Sequence, residues 1–185
     1  MNKGKLFVFS GASGVGKSTV LSRVMASRED LRFSVSATTR AARAGEVDGE
    51  SYYFISKETF LDMIDRHEFL EYDAHMDNYY GTPKGQLEEK LQNGNVVLDI
   101  EPNGAFNVRR ERPDAVLIFI APPSLEELEN RLRGRGDTSE EQIRLRQARV
   151  AWEMEQSKQY DYIVINDQID LCVEKILQII AHEAD

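Results

Sequence analysis

The sequence predicts an α/β fold in which helices flank a parallel β-sheet. The apolar runs Val96–Ile100 and Val116–Ala121 are typical of parallel strands that are buried on both faces. A third apolar run, Leu6–Ser10, leads into a glycine-rich loop and then into a helical segment. Because strand-like and helix-like segments alternate from there to the end of the chain, we expect a doubly wound sheet.

The first half of the chain contains short strands that lie close together in sequence. After the loop, the pattern predicts a helix that ends near Ala26. The elements expected next are strands at Phe33–Thr39 and Ser51–Ile55, a helix over Lys57–Arg66, strand or loop pieces at Phe69–Tyr72 and Asn78–Gly81, and a helix from Pro83 to about Asn93. Since these short strands interrupt the alternation, we predict that residues 36–90 form an insert on the main sheet.

The second half returns to longer elements. They are a helix that begins after Pro122-Pro123-Ser124 and runs to about Arg133, a long charged helix over Ser139–Lys158, a buried strand at Tyr162–Ile165 and an amphipathic helix over Ile169–Ala181. In the last helix, Cys172 falls on the apolar face, so we predict that it is a core residue. No repeat or linker divides the chain.

Composition limits the classes of protein that remain. The chain has 185 residues with 41% hydrophobic and 30% charged residues and a net charge of −9, which disfavours a nucleic-acid-binding protein. Its single cysteine, Cys172, excludes an intramolecular disulfide. No run reaches the roughly 18 apolar residues of a membrane span, and no secretory signal is present. We therefore expect a soluble, cytoplasmic protein without a nucleic-acid or membrane partner.

The glycine-rich loop is the most specific motif. It reads Gly11, Ala12, Ser13, Gly14, Val15, Gly16, Lys17, Ser18, a full match to G-x-x-x-x-G-K-[ST]. Such a loop turns its backbone N–H groups into an anion-sized hollow, its lysine reaches the β- and γ-phosphates, and its hydroxyl binds Mg²⁺. An apolar strand precedes the loop and a helix follows it, so the sequence predicts a nucleoside-triphosphate site on a phosphate-loop core.

An acidic residue at the end of a later strand completes the predicted magnesium site. The strand that contains Val96, Val97 and Leu98 ends in Asp99, which has the form of the carboxylate that lies beside a phosphate loop. The chain lacks the N-K-x-D and D-x-x-G motifs of GTPases, and a large ATPase motor needs more residues. The reaction that uses the nucleotide remains open at this point.

The arginines are concentrated in one segment. Six of them, and no lysine, lie between Arg131 and Arg149. They form either a helical face of Glu–Arg pairs or a group of guanidinium forks that bind phosphate.

Several further motifs occur in one order along the chain. They are Ser36-Ala37-Thr38-Thr39-Arg40, Arg43-Ala44-Gly45-Glu46-Val47, Tyr79-Tyr80-Gly81-Thr82, Leu98-Asp99-Ile100 and Arg131-Leu132-Arg133-Gly134-Arg135-Gly136. With these motifs the sequence resembles the guanylate kinase family, nucleoside-monophosphate kinases built on a phosphate-loop core. The resemblance implies a single domain over residues 4–183, with a GMP-binding insert at about 36–90 and a helical lid at about 124–158.

The resemblance also implies which residues bind GMP. Its phosphate would be held by Arg40, Arg43, Tyr52 and Tyr80. Glu71 would accept hydrogen bonds from the guanine N1–H and 2-amino groups, a donor pair that adenine lacks. Ser36 and Thr82 would contact guanine O6 and its neighbours. Glu101 stands where the family often has Asp, and would contact the base or help to organise Mg²⁺.

The ATP side is implied in the same way. Lys17, Arg131, Arg135 and Arg146 would be catalytic because they neutralise the transferring phosphoryl group. Asn166 would contact adenine, and Ser18 and Asp99 would bind Mg²⁺. The other arginines of the cluster, Arg133, Arg144 and Arg149, are expected in solvent or in ion pairs. The implied reaction is Mg²⁺-dependent transfer of the γ-phosphate of ATP to GMP, with dGMP as a further acceptor, by a monomer or homodimer.

Two alternatives remain at this stage. One is a kinase for another monophosphate, such as AMP, UMP or dTMP, against which Glu71 with Ser36 and Thr82 argues. The other is a guanylate-kinase-like interaction module that has lost catalysis. Such a module does not need an intact phosphate loop, and here Lys17 and Ser18 are both present.

Overall fold

The main sheet has five parallel strands. The computed structural model describes residues 4–75, 77–124, 126 and 140–184. Its strands are β1 (Leu6–Gly11), β2 (Leu31–Phe33), β7 (Asn95–Asp99), β8 (Val116–Ala121) and β9 (Tyr162–Ile165). Within the described residues, their order in the sheet is β2-β7-β1-β8-β9. Since β1 lies between β7 and β8, the loop that follows β1 lies at the centre of the edge formed by the carboxyl ends of the strands.

Helices pack around this sheet. They are α1 (Lys17–Ala26), α2 (Lys57–Asp65), α3 (Lys84–Gln92), α4 (Pro102–Glu111), α5 (Glu140–Gln156), which continues into a short 3₁₀ helix over Ser157–Gln159, and α6 (Ile169–Ala184). Helices α1 and α6 contact each other, α3 contacts β7 and α4 contacts β1. Phe7, Phe9, Leu98 and Ile118 are fully buried in the resulting core. The predicted helix-flanked parallel sheet is confirmed.

A second, smaller sheet forms between β2 and α3. It contains β3 (Ala37–Thr38), β4 (Tyr53–Phe54), β5 (Phe69–His75) and β6 (Asn78–Pro83) in the order β4-β3-β6-β5. Strands β5 and β6 pair antiparallel with β-bulge irregularity near Phe69. The Phe60 and Phe69 rings stack at 4.4 Å between centroids, and a Cβ at Gly81 would lie 2.9 Å from the Phe69 ring. Gly81 therefore allows β6 to approach this small core.

The second sheet lies entirely within the predicted insert. Its strands and α2 fall between residues 37 and 83, and β5 contacts α4 of the main body. The last helix of the predicted insert, α3, instead buries Leu87 and Leu91 in the main core.

Two parts of the sequence-based prediction were wrong. The single strand predicted over Phe33–Thr39 is split between the two sheets, because the backbone bonds of the linking residues change partner: Ser34 N–H donates to Val97 and Ser36 C=O accepts from Tyr53. Helix α4 was not predicted. Its buried face consists mostly of small residues, including Gly104 and Ala105, which give no hydrophobic periodicity.

The C-terminal half follows the prediction where it is described. Helix α5 matches the long charged helix, and α6 buries Cys172 as expected but continues to Ala184 rather than Ala181. The helix predicted from residue 124 to about Arg133 lies outside the described residues. Among the helices that are described, none combines the length and the apolar character that a membrane crossing requires.

Candidate active site

The phosphate loop connects β1 to α1 in a tight turn. Gly14 and Gly16 have φ angles of 83° and 88°, in the left-handed region that favours glycine. The N–H of Val15 donates to the carbonyl of Ala12 at 3.0 Å and closes the turn. A Cβ at Gly11 would lie 2.9 Å from the Ile120 carbonyl oxygen, so the loop also needs glycine where it leaves the sheet. It opens at the N-terminus of α1, where N–H groups are free to bind phosphate.

Two side chains from elsewhere in the chain support this loop. The amide of Asn166, after β9, donates to the Val15 carbonyl at 2.8 Å. The carboxylate of Glu153, on α5, accepts from the Ser13 N–H at 2.8 Å. The predicted contact of Asn166 with adenine stays a prediction, since the structure places its amide against the loop. Nothing in the charged sequence of α5 distinguishes Glu153, and sequence reasoning missed it.

Lys17 and Asp99 meet at the edge of the sheet. The lysine begins α1 and the aspartate ends β7, and the Lys17 ammonium donates a hydrogen bond to the Asp99 carboxylate. Ser18 and Asp99 line a common cavity of about 410 Å³. The structure therefore brings together the predicted phosphate-binding lysine and both predicted magnesium ligands.

Ser18 and Asp99 suit a magnesium ion. Hydroxyl and carboxylate oxygens are hard ligands of the type that Mg²⁺ prefers. Within the described part of the chain, no three His, Cys, Asp or Glu side chains come together as a metal site. A magnesium ion at Ser18 and Asp99 would complete its shell with phosphate oxygens and water, because Mg²⁺ usually binds one or two protein ligands together with substrate phosphates.

A cavity of about 290 Å³ lies between the two sheets. It joins the phosphate-loop side of the site, through Lys17 and Asp99, to the insert. Its walls include the predicted GMP residues Ser36, Arg40, Arg43, Tyr52, Glu71, Tyr80 and Glu101. The remaining predicted residue, Thr82, contacts this wall through its hydrogen bond to Glu71.

The positive end of the cavity is organised by Glu46. Its carboxylate accepts two hydrogen bonds from the Arg40 guanidinium, at 2.8 and 2.9 Å, and a third from the Arg43 N–H at 2.7 Å. The hydrogen bonds from Arg40, followed by the bond from the Arg43 N–H, lower the pKa of Glu46 to about 2. The bonds to Glu46 in turn raise the pKa of Arg40. Glu46 thus fixes the orientation of Arg40 while both groups stay charged.

Two phenols stand next to this guanidinium. The Tyr52 and Tyr80 rings meet edge to face at 6.0 Å, and the Arg40 guanidinium lies 5.4 Å from the centroid of Tyr52. Burial, followed by the nearby charge of Asp99, raises the pKa of Tyr52. Tyr52 therefore stays protonated at neutral pH and offers a hydroxyl donor. Guanidinium and phenol donors around one space are suited to a phosphate dianion.

The cavity wall also contains a buried acid. Glu71 is 6% exposed, and its Oε1 accepts from the Thr82 hydroxyl at 2.6 Å. Burial, assisted by the charge of Asp73 and opposed by hydrogen bonding from Thr82, raises the pKa of Glu71 to about 7. A Cβ at Gly104 would lie 2.8 Å from Oε2, so α4 leaves just enough room for this carboxylate.

Helix α5 supplies a wall that the sequence did not predict. Arg149 donates to Glu101 at 2.6 Å and to Glu153 at 2.9 Å, so it is ion-paired as expected, but it also lines the cavity. Trp152, on the same helix, is 39% exposed and lines the same cavity. Of the three predicted catalytic arginines, Arg131 and Arg135 lie outside the described residues. The third, Arg146, lies on α5, but the structure does not describe its side chain.

The sequence matches a known family over nearly its whole length. A family model described as guanylate kinase covers residues 3–183, which include both sheets, the phosphate loop and the cavity. The chain belongs to the guanylate kinase family. The family predicted from the motifs is therefore confirmed.

Individual guanylate kinases are similar over the same range. The guanylate kinase of Caldanaerobacter subterraneus subsp. tengcongensis is 48% identical over 182 residues, which cover 98% of this chain and 88% of that protein. The guanylate kinase of Lactiplantibacillus plantarum is 48% identical over 183 residues, covering 98% and 89%. The crystal structure of guanylate kinase from Anaplasma phagocytophilum superposes with a TM-score of 0.80 at 33% identity, covering 98% of this chain and 87% of the other.

Proposed function

We propose that this chain transfers the γ-phosphoryl group of ATP to GMP in a magnesium-dependent reaction that gives ADP and GDP. As a member of the guanylate kinase family, it is a nucleoside-monophosphate kinase. The observation that carries the proposal is the continuous cavity that joins Lys17 and Asp99 to Arg40 and Glu71. One space thus contacts both a triphosphate-binding loop and a site suited to a nucleoside monophosphate.

The donor nucleotide would bind at the phosphate loop. The loop N–H groups and the N-terminus of α1 would receive its β- and γ-phosphates. Lys17, now paired with Asp99, would turn to the phosphates. Ser18 and Asp99 would hold a magnesium ion, which neutralises phosphate charge and orients the triphosphate when it is bound.

The acceptor would bind across the insert. Arg40, Arg43, Tyr52 and Tyr80 would hold the phosphate of GMP. Glu71 would accept from guanine N1–H and the 2-amino group, with Ser36, Thr82 and Glu101 around the base. Because Glu71 is buried, a base without that donor pair would leave the carboxylate without compensation.

Catalysis would rest on position and charge. A phosphate oxygen of GMP attacks the γ-phosphorus in line with the ADP leaving group, so no covalent enzyme intermediate is needed. Lys17 stabilises the charge as it moves from donor to acceptor, together with the predicted catalytic arginines Arg131, Arg135 and Arg146. Closure of the predicted lid over residues 124–158 would exclude water, which otherwise would hydrolyse ATP.

The remaining proposals concern the whole chain. We propose that residues 4–183 form one domain with its insert at about 36–90 and that dGMP is also accepted. A cytoplasmic location agrees with the free, buried thiol of Cys172. The oligomeric state, expected to be a monomer or a homodimer, stays a prediction.

The direct test is identification of both products. The purified chain is incubated with ATP, GMP and magnesium, and ADP and GDP are quantified by anion-exchange chromatography. We expect equal amounts of ADP and GDP, and no GDP when EDTA replaces magnesium. ADP without GDP would indicate an ATPase and would contradict the proposal, as would the absence of both products.

A further inference from the structure

We propose that Glu153 is a positioning residue for the phosphate loop: its carboxylate, held by Arg149, fixes the Ser13 peptide and so sets the loop for the phosphates of ATP. This inference rests on the proposed function. It concerns a residue outside the predicted site, on helix α5, which lies within the predicted lid segment at about 124–158.

The first support is the contact itself. Glu153 is 1% exposed, and its Oε2 accepts from the Ser13 N–H at 2.8 Å across 140 residues of sequence. Its Oε1 accepts from Arg149 Nε at 2.9 Å. Both carboxylate oxygens therefore have a donor, and a buried charge with such partners is held in one geometry.

The second support is where the contact lies on the loop. A phosphate loop binds only when its peptides turn their N–H groups to the ligand. Residues 12–16 of this loop belong to no strand or helix that would fix those peptides. Asn166 donates to the Val15 carbonyl, and Glu153 accepts from the Ser13 N–H. Two side chains from distant elements thus determine two of the loop peptides.

The third support is electrostatic. A lone carboxylate beside the loop would repel the phosphates of ATP, and more strongly because it is buried. Arg149 neutralises this charge through its bond to Glu153. The pair therefore supplies a strong acceptor for the Ser13 N–H while the guanidinium offsets the charge of the buried carboxylate. The second carboxylate that Arg149 contacts, Glu101, is 60% exposed and is screened by solvent.

The contact also connects the loop to the predicted lid machinery. Helix α5 begins at Glu140 and carries Arg146 seven residues, or two helical turns, before Glu153. A helix is stiff over that length, so docking of Glu153 on Ser13 sets the distance between Arg146 and the loop. We therefore expect Glu153 to influence kcat as well as the KM for ATP.

The test compares kcat, the KM for ATP and the KM for GMP in four proteins. They are the wild type, Glu153→Ala, Glu153→Gln and, as a matched control on the same helix, Glu155→Gln. The side chain of Glu155 is exposed and pairs with Lys158. We expect Glu153→Ala to raise the KM for ATP at least fivefold and to lower kcat, with the KM for GMP within twofold of wild type. Glu153→Gln keeps an acceptor for Ser13 and should recover most of the loss.

A merely structural role gives a different result. A KM for ATP within twofold of wild type in folded Glu153→Ala would overturn the inference, and so would an equal rise in both KM values. If Glu153→Ala does not fold, Glu153→Asp takes its place. It keeps the charge but withdraws the carboxylate by one methylene, and a wild-type KM for ATP in that variant would overturn the inference as well.

Failure of the inference can be separated from failure of the proposed function. ATP binding to each variant is measured by calorimetry in the absence of GMP, which requires no turnover. If the wild type forms no GDP but Glu153→Ala still weakens ATP binding at least fivefold, the proposed function fails and the inference stands. If the wild type forms GDP and Glu153→Ala binds ATP normally, only the inference fails.

Discussion

The Thr82 hydroxyl donates a hydrogen bond of 2.6 Å to Glu71, a carboxylate that is almost completely removed from water. An ionised carboxylate has about four acceptor positions, so one hydroxyl does not satisfy it. Guanine presents two adjacent donors that a carboxylate accepts together. The hydrogen bond from Thr82 thus orients Glu71 and leaves acceptor positions that the base of GMP would fill in the proposed function.

Replacement of Glu71 by Gln should remove the preference for guanine. The amide puts an NH₂ donor opposite a guanine donor and loses the charge, which should cost roughly 2–4 kcal/mol in kcat/KM for GMP. AMP should be affected far less, because adenine never satisfied the carboxylate. The measurement is kcat/KM for both nucleotides, with Glu68→Gln, an exposed acid three residues away, as the control. A GMP-to-AMP preference within twofold of wild type would show that another group recognises guanine.

The same acid predicts a pH dependence. Burial raises the pKa of Glu71 to about 7, so the free protein gains stability from the protonated form. That contribution is fully present below the ordinary pKa near 4.5 and is lost as the pH rises through 7. In the proposed function GMP binds the ionised form, so we expect kcat/KM for GMP to rise with pH and level off above about 7.

The pH profile of Glu71→Gln is the control for this effect. The phosphate of GMP also titrates, with a pKa of about 6. The change in kcat/KM that it causes should persist in the variant. The change in kcat/KM near pH 7, which we assign to Glu71, should disappear. Identical profiles for wild type and variant would exclude Glu71 as the titrating group.

Glu46 should matter for GMP and not for ATP. Its carboxylate holds both Arg40 and the Arg43 backbone, and Glu46→Gln removes the charge and at least one of these bonds. We expect the KM for GMP to rise roughly three- to tenfold, as for loss of a charge-assisted hydrogen bond, with the KM for ATP unchanged. Glu58→Gln, on α2 of the same insert, is the control. A rise in the KM for ATP without a rise in the KM for GMP would mean that Glu46 supports ATP binding, and it would contradict this prediction.

Replacement of Lys17 by Ala should nearly abolish turnover without unfolding the protein. The lysine is partly exposed at the first position of α1, where alanine is well tolerated, and its partner Asp99 is also in contact with solvent. We expect kcat to fall by orders of magnitude because the charge that stabilises the transferring phosphoryl group is lost. Circular dichroism establishes that the variant is folded. Near-normal kcat in a folded variant would mean that the loop does not bind ATP.

Much of the phosphate-loop side could be predicted from the sequence because its chemistry depends on local order. The spacing from Gly11 to Ser18 fixes the loop, and Asp99 follows because parallel strands end at the same edge of a sheet. The insert is different. No local pattern brings Glu71 and Arg40 to the same cavity, and these residues were assigned from a family resemblance.

The elements that were missed depend on tertiary contacts. Helix α4 buries small residues such as Ala105, whose pattern carries little hydrophobic signal. The chain changes sheets at Ser34–Ser36 through backbone bonds to distant strands, which sequence does not show. Glu153 looks like one more acid on a charged helix, and only its contact with Ser13 reveals its burial.

The most direct test of the account is a comparison of acceptors with the wild-type protein. ADP formation is followed with ATP, magnesium and either GMP, IMP, AMP or UMP, and kcat/KM is determined for each. Hypoxanthine, the base of IMP, keeps the N1–H but lacks the 2-amino group. We therefore expect the highest kcat/KM for GMP, a lower value for IMP and a still lower value for AMP. UMP should be as poor as AMP. If AMP or UMP matches GMP, the buried carboxylate of Glu71 does not select guanine, and the central claim is wrong.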